Sequence, residues 1–457
     1  MDFIQFFDII VIGGGPAGYH FANLAAKKGF TVALFEERAL GGTCLNEGCI
    51  PSKAILKSAK LVDGIKHAEE FGVEVQEYSI KQEFIIERKN KIVSKLAMGV
   101  RGGLRKNKVK LFFAHADILP CENENFLVEC ENKVYGASKL VIATGSKVFI
   151  PKIEGVGDSL NSGFAITSTE ALDLTKVPTS ILIVGAGVIG IELASYFSSM
   201  GSKVTVVEAT DKICAKADRE CSELLMKNLC KKGVNFMLNS KVTAIHDGAV
   251  VVQHEEEILQ IDCDRVLLCV GRIANISGFG LDNLSVEYTN KGIIVDKNMQ
   301  TNVKNLFAIG DVNGKVMLAH TAYKEAEVCF DYINGKENFI DYNSIPAVIY
   351  CSPEFSYVGI TEEDAINQNL NCTVKKLPMI YSGRFVAENI EVDGLCKVII
   401  DNNKNTVIGA MMVGDGSSEV ILSLSNFITL GITVDDINKM IFPHPTIGEI
   451  IKDTINQ

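Results

Sequence analysis

The chain has 457 residues, enough for two to four domains at ~100–200 residues each, and its net charge of −11 excludes a general binder of nucleic-acid phosphates. Its thirteen cysteines are odd in number, scattered, and contain no C-x-x-C pair, which excludes a secreted disulfide framework and a zinc ribbon; most are expected as reduced thiols of a cytoplasmic protein. The N-terminus lacks the basic start and cleavage site of a signal peptide, and the longest apolar stretch, 181–194, is broken by three glycines and Glu192, so the sequence predicts no membrane span.

In chain order, the apolar strand 9–12 runs into Gly13-Gly14-Gly15-Pro16-Ala17-Gly18. A helix ending near Gly29 then leads to a second strand, 31–35, ending in Glu36. The same design returns 172 residues later: strand 181–184, Gly185-Ala186-Gly187-Val188-Ile189-Gly190, Gly201, strand 203–207 and Glu208. In a G-x-G-x-x-G loop the first glycine makes the tight turn. The second lets backbone approach a pyrophosphate, and the third lets the helix pack closely on the strand. The helix N-terminus offers free N–H groups to phosphate, and the acid accepts hydrogen bonds from a ribose hydroxyl. Two copies in register, each with its acid, predict two dinucleotide sites; one copy alone is also compatible with glycine turns of an ordinary α/β sheet. Glu208 repels a 2′-phosphate, and Ala209-Thr210-Asp211-Lys212 after it supply a single lysine, which favours NAD over NADP.

Between the copies lies Gly41-Gly42-Thr43-Cys44-Leu45-Asn46-Glu47-Gly48-Cys49-Ile50-Pro51-Ser52-Lys53. On a regular helix Cys44 and Cys49 would sit roughly 8–9 Å apart at Cα, beyond the ~7 Å limit of a disulfide. A bridge therefore requires Asn46-Glu47-Gly48 to distort the turn, and the alternative is two unpaired core cysteines. A helix over 51–61 is expected to begin after Cys49, where a helix N-terminus favours thiolate. Lys53 shares a helical face with Cys49; taken alone it reads as a solvated surface lysine. Further on, the strands 140–144, 266–270 and 306–309 each run into glycine, and Asp311 after the last reads equally as a ribityl contact or a turn aspartate. Among seven histidines, His444 stands out in Phe442-Pro443-His444-Pro445-Thr446-Ile447-Gly448-Glu449. Pro445 suits the first position of a helix, and Glu449 is placed to orient the imidazole as a base, although such a pair is also a common capping feature.

Together these motifs resemble the flavin-dependent pyridine nucleotide–disulfide oxidoreductases over essentially the whole chain, and within them the branch that oxidises protein-bound dihydrolipoamide. The resemblance implies an α/β fold with two Rossmann-like dinucleotide-binding domains, for FAD and NAD, and a C-terminal α+β dimerisation domain. The expected segments are FAD-binding 1–147, NAD-binding 148–272, a central segment 273–341 completing the FAD domain, and an interface domain 342–457. FAD contacts are carried over to Gly13, Gly15, Pro16, Ala17, Gly18, Glu36, Gly42, Thr43, Lys53, Ala116, Thr144, Gly145, Ser146, Gly310, Asp311, Met317, Leu318, Ala319 and His320. NAD contacts are carried over to Gly185, Gly187, Ile189, Gly190, Glu192, Glu208, Val242 and Gly271.

By the same resemblance Cys44 and Cys49 form a redox-active disulfide, Cys44 exchanging with substrate and Cys49 facing the flavin. Lys53 pairs with Glu192 beside the flavin, and His444, held by Glu449, serves the other subunit's cysteines in an obligate homodimer. No lipoyl domain precedes the FAD fold, so the lipoyl group is expected on a partner: the E2 component of a 2-oxo-acid dehydrogenase, or the glycine-cleavage H protein. Three positions depart from the family pattern: Phe442 replaces an earlier histidine, Ala274 a proline, and Ala114-His115-Ala116 a glycine-rich adenine contact. Rival readings are a glutathione-reductase-like enzyme, which Glu208 disfavours, a mercuric-reductase-like enzyme, whose C-terminal cysteines are missing after Cys396, and a non-catalytic flavoprotein scaffold.

Overall fold

The computed structural model describes residues 2–390 and 392–457. They form two compact units, each assembled from separated stretches of chain.

The first unit comprises Met1–Pro51, Glu87–Phe149 and Gly271–Ile340. Strand β1 (Asp2–Ile12) runs into helix α1 (Pro16–Lys27) and strand β2 (Val32–Phe35). In the sheet, β1 lies between β2 and Lys133–Ile142, parallel to both; Lys110–Phe112 flanks β2, and Leu306–Ala308 also pairs with Lys133–Ile142. Asn125–Cys130 and Asp117–Glu122 extend the sheet antiparallel. Buried on both faces, the parallel strand stretches 9–12, 32–35, 140–142 and 306–308 read as continuous apolar runs, whereas Asn125–Cys130 alternates. Alternate side chains still serve different layers: Ile9 and Val11 pack with Phe21 and Ala22 of α1, while Ile10 and Ile12 pack with Phe126 and Val128.

The second unit comprises Ser52–Ile86, Ile150–Val270 and Asp341–Gln457. Its parallel sheet runs Asn235–Met237, Lys203–Val207, Ser180–Val184, Arg265–Leu268, Ala165–Thr167, and the helix Val188–Ser199 follows the central strand. The hairpin sheet Ser240–His246, Ala249–His254 and Glu257–Asp262 is separate. From residue 347 the chain forms a five-stranded antiparallel sheet, Ala347–Ile349, Phe355–Gly359, Thr406–Val413, Leu395–Asp401, Cys372–Pro378. Helices Ser417–Leu430 and Glu449–Ile455 contribute Leu424, Ile450 and Ile451 to its core.

One buried cation ties this antiparallel sheet to the parallel-sheet half of the same unit. The Lys397 ammonium lies 3.0 Å from Asp218, which caps the helix Arg219–Lys231, and 3.1 Å from Glu220, and it also pairs with Glu362. Lys397 and Asp218 are each only 1% exposed. Hydrogen bonds to these carboxylates outweigh the desolvation that opposes the charge and hold the lysine above its ordinary range. Removing the lysine leaves Asp218 charged and dry. Lys397→Met is therefore expected to destabilise the protein by about 3–5 kcal/mol, with Lys397→Met/Asp218→Asn recovering part of the loss. Chemical denaturation of the three proteins side by side checks this.

Candidate active site

Both glycine loops are built where a side chain does not fit. Gly13 has φ +103°, and a Cβ on it would stand 2.2 Å from the Ala143 carbonyl; one on Gly18 would stand 1.9 Å from the Gly13 carbonyl. In the second loop Gly185 has φ +101°, with its Cβ position 2.5 Å from the Cys269 carbonyl, and that of Gly190 is 2.1 Å from the Gly185 carbonyl. Gly15 and Gly187 are the caps of α1 and of Val188–Ser199, with extended backbone and no side-chain cap, so the first N–H groups of both helices remain available to an anion. The acids behave alike: Glu36 accepts the Gly14 N–H at 2.7 Å, and Glu208 accepts the Ala186 N–H at 2.7 Å. Each has a second oxygen engaged by the following turn, Glu36 with the Arg38 N–H at 2.8 Å and Glu208 with the Thr210 N–H at 2.9 Å.

The cysteine stretch is two helices rather than one. Helix α2 (Gly42–Glu47) stops at Gly48, and helix α3 (Cys49–Lys66) starts immediately after it. The break at Gly48, φ −142° and ψ −111°, brings the Cα atoms of Cys44 and Cys49 to 4.7 Å, and the two form a disulfide. A Cβ on Gly48 would stand 3.0 Å from the Thr43 carbonyl and 3.3 Å from the Cys44 Cα. The expected distortion is thus a helix break, and α3 begins at Cys49 rather than at Pro51. At the other end of α2, Gly42 lies against the phosphate loop, its Cβ position 2.7 Å from the Gly15 Cα. Asn46 donates to the carbonyls of Leu40 at 3.1 Å and Gly42 at 2.9 Å, locking α2 to the loop before it.

A polar chain in the same unit joins several predicted contacts. Ser146 donates to Asp311 Oδ2 at 2.6 Å, and burial pushes the Asp311 carboxyl upward. Thr144 donates to the Asn275 carbonyl at 2.8 Å, fixing the turn at Gly145. Gly310, with φ +76°, donates its N–H to the buried Glu325 at 2.7 Å. Met317 and Leu318 lead into the helix Ala319–Ile333, on whose first turn Ala319 and His320 lie and which Leu318 caps without a side-chain bond. Ala116 is buried in the apolar cluster that contains Phe35 and Ile118. Sequence reasoning missed Arg272, whose guanidinium donates to Ser146 Oγ and to the Ser146 carbonyl at 2.8 Å each and to Thr43 Oγ1 at 3.4 Å. Its one sequence signal is a cation next to Gly271, a glycine with φ +115°, at a strand end.

In the second unit Lys53 Nζ is 2.9 Å from both oxygens of Glu192. Ile189 lies in the first turn of Val188–Ser199, and Val242 is half-buried on Ser240–His246, opposite Val252. His444 Nδ1 is 3.0 Å from Glu449 Oε1, and Glu449 Oε2 accepts the Thr446 N–H at 2.8 Å. That backbone bond, followed by the bond to His444, lowers the Glu449 carboxyl below its ordinary range. Pro445 is not a helix start: the His444–Pro445 bond is cis, and Glu449 is the first residue of its helix. The His444 side chain is 81% exposed in the single chain.

Residues 7–326 match the pyridine nucleotide-disulphide oxidoreductase family, and residues 345–455 match its dimerisation domain. The chain belongs to this family. Among its relatives, the dihydrolipoyl dehydrogenase of Mycoplasma pneumoniae is 34% identical over 450 residues, 98% of this chain and 97% of its own length. Those of Chlamydia muridarum and Geobacillus stearothermophilus are 36% and 35% identical, covering 97% and 98% of this chain and 95% of their own lengths. Among solved structures, the HOCl-induced flavoprotein disulfide reductase RclA of Escherichia coli superposes with a TM-score of 0.86 at 28% identity, covering 98% of this chain and 99% of its own. LpdA of Mycobacterium tuberculosis, at 21% identity, shares the fold with a TM-score of 0.88, over 99% of each chain. The family's cofactors are FAD and NAD, and the two glycine cradles, each with a carboxylate bonded to its loop, suit two dinucleotides.

Gly18→Ala is expected to abolish FAD retention, read as loss of flavin absorbance per chain. Gly190→Ala is expected to leave the flavin in place and to raise the Kd for NAD+ by at least about 100-fold, read by titration of the yellow protein.

Proposed function

We propose that this family member is a dihydrolipoyl dehydrogenase, which oxidises a protein-bound dihydrolipoyl group and reduces NAD+. The observation that carries the reading is the Cys44–Cys49 disulfide, spanning a helix break next to the first phosphate loop, in a chain matched along its length by dihydrolipoyl dehydrogenases. Segments 1–147 and 273–341 are assigned to FAD, 148–272 to NAD and 342–457 to the dimer. FAD is held by the first glycine loop, Glu36, Gly42, Thr43, Ala116, Thr144–Ser146, Gly310, Asp311, Met317–His320 and Lys53. NAD is held by the second loop, Glu192, Glu208, Val242 and Gly271. Glu208 supports NAD over NADP, because a carboxylate already bonded to the Ala186 N–H stands where a 2′-phosphate would bring like charge.

The exchange steps use the chain's own groups. With Nδ1–H donated to Glu449, Nε2 of His444 carries the lone pair that takes a proton from the substrate dithiol. The resulting thiolate attacks Cys44 Sγ, the Cys44–Cys49 bond breaks, and Cys49 leaves as thiolate. The second substrate thiol gives up its proton to solvent and its sulfur attacks the first, displacing Cys44 as thiolate, which takes the proton held by the imidazolium; the lipoyl group departs as a disulfide and the protein holds Cys44 as thiol and Cys49 as thiolate. When bound, FAD would supply the two-electron acceptor through which the Cys44 thiol and Cys49 thiolate re-form their disulfide, with loss of one proton, and from which NAD+ would be reduced. The exposure of His444 in one chain, together with the dimerisation domain, supports a homodimer in which His444 of the partner subunit is the base. The lipoyl group is assigned to an E2 component or a glycine-cleavage H protein. A cytoplasmic location is supported by the eleven other cysteines, all unbridged among the described residues; no helix there is long and apolar enough to cross a membrane.

With dihydrolipoamide, reduction of NAD+ is expected to exceed that of NADP+ by more than about tenfold in kcat/KM, the equivalent of ~1.4 kcal/mol. Cys44→Ser should abolish turnover; failure with NAD+, or full activity of the variant, refutes the assignment. His444→Gln is expected to lower kcat by about 10²–10⁴. A hybrid dimer of one Cys44→Ser chain and one His444→Gln chain should recover half the wild-type rate, because one of its two sites then has an intact cysteine pair and an intact base. The lowered Glu449 carboxyl stabilises the folded state fully above its ordinary value of 4.5, and this contribution is lost as pH falls through the lowered value. The Tm difference between wild type and Glu449→Gln should therefore be constant above about pH 5.5 and shrink in stronger acid.

A further inference from the structure

Glu192 is only 4% exposed, on the helix Val188–Ser199. A carboxylate so buried needs its charge answered on the spot. Lys53 provides the counter-charge, 2.9 Å from each oxygen. Lys53 also reaches Ser52 Oγ, at a long 3.4 Å. The residue that closes this arrangement comes from a third segment. Tyr350, directly after the strand Ala347–Ile349 of the antiparallel sheet, donates its backbone N–H to Glu192 Oε1 at 3.0 Å. Its ring faces the ammonium, with Lys53 Nζ 4.3 Å from the ring centroid.

The same segment is pinned to both neighbouring helices. The Ser352 N–H donates to Ser195 Oγ at 3.1 Å, one turn beyond Glu192. Lys232 Nζ bonds Ser352 Oγ at 2.7 Å and Asp63 Oδ2 at 2.9 Å, and Asp63, on α3 with Lys53, also accepts from Ser199 Oγ at 2.9 Å. The backbone around residue 350 thus has little freedom to drift from the ion pair. Burial, reinforced by Glu192, Glu354 and Glu419, keeps the Tyr350 phenol neutral, so the ring offers the ammonium its negative face and no charge of its own.

We propose that Tyr350 is a positioning residue for the Lys53–Glu192 pair: its backbone N–H fixes the carboxylate, its ring holds the ammonium on that carboxylate, and the segment of the dimerisation domain that carries it thereby sets the geometry of a charge pair formed by two other segments of the chain. The importance of that pair for hydride transfer rests on the proposed function; the positioning itself does not, because it is read without substrate.

The test uses the full-length, FAD-loaded protein with Tyr350→Phe and Tyr350→Met. Phe keeps the ring, and Met keeps bulk without a π face. Lys53 is followed by the rate of its reductive methylation, resolved by mass spectrometry, and turnover is separated into kcat and KM for NAD+. Tyr350→Phe is expected to match wild type in both. Tyr350→Met is expected to raise Lys53 labelling by about 2- to 30-fold, the range a lost cation–π contact allows, and to lower kcat by a comparable factor with a smaller change in KM. Equal labelling in wild type and Tyr350→Met overturns the proposal, as does a Tyr350→Phe protein that behaves like Tyr350→Met, since the hydroxyl would then be the operative group. If Tyr350→Met loses its flavin or its fold, trifluorophenylalanine at 350 replaces it: it keeps the ring's shape and weakens its face, so Lys53 labelling must still rise, and a rate unchanged from Tyr350→Phe overturns the proposal. Faster labelling in a protein that fails to oxidise dihydrolipoamide supports the positioning role and removes the dihydrolipoyl assignment alone.

Discussion

The break in the helical path at Gly48 is the constraint on which the redox centre depends. Five positions apart on a continuous helix, two cysteines cannot bond; here the chain ends one helix and starts another between them, and the Cα atoms come to 4.7 Å. The break leaves little room for a larger residue, because a Cβ on Gly48 would stand 3.0 Å from the Thr43 carbonyl and 3.3 Å from the Cys44 Cα. The new helix also begins at Cys49, so its N-terminal N–H groups and dipole favour negative charge on that sulfur when the bridge opens. One glycine therefore permits the bond and helps stabilise the thiolate it releases.

The two glycine loops, one in each unit, solve the same electrostatic problem twice. Each helix keeps its first N–H groups free of side-chain caps, and each acid is held by a loop N–H at 2.7 Å. Each acid is thus oriented by the backbone of its own loop. The Lys53–Glu192 and His444–Glu449 pairs use the same device: a carboxylate fixed by a backbone N–H, from Tyr350 in one case and Thr446 in the other, in turn holds a cationic or basic group.

Features that demand a particular residue type were legible in the sequence. Gly13, Gly18, Gly185 and Gly190 occupy positions that exclude a side chain, so their spacing alone marks the loops, and the 172-residue register of Glu36 and Glu208 reappears in matching hydrogen bonds. The spacing of Cys44 and Cys49 called for a distortion, and the structure has one. What escaped depends on distant chain. Arg272 gains its meaning only where the crossing strand Arg272–Ala274 pairs with Ser146–Val148, and Tyr350 only where its strand meets the helix of Glu192. The start of α3 at Cys49 and the cis bond before Pro445 were misread because local propensity favours proline at a helix start, while the tertiary setting chose otherwise.

The contact between Gly42 and Gly15 has a consequence for ancestry and engineering. Backbone meets backbone there, with the Cβ position of Gly42 2.7 Å from the Gly15 Cα, so neither partner has a side chain that can repack around a change in the other. The phosphate loop and the redox helix behave as a single heritable block. A crossover between relatives that falls between residues 15 and 42 joins two halves whose fit was never tested together, whereas one placed beyond the cysteine pair keeps the block whole.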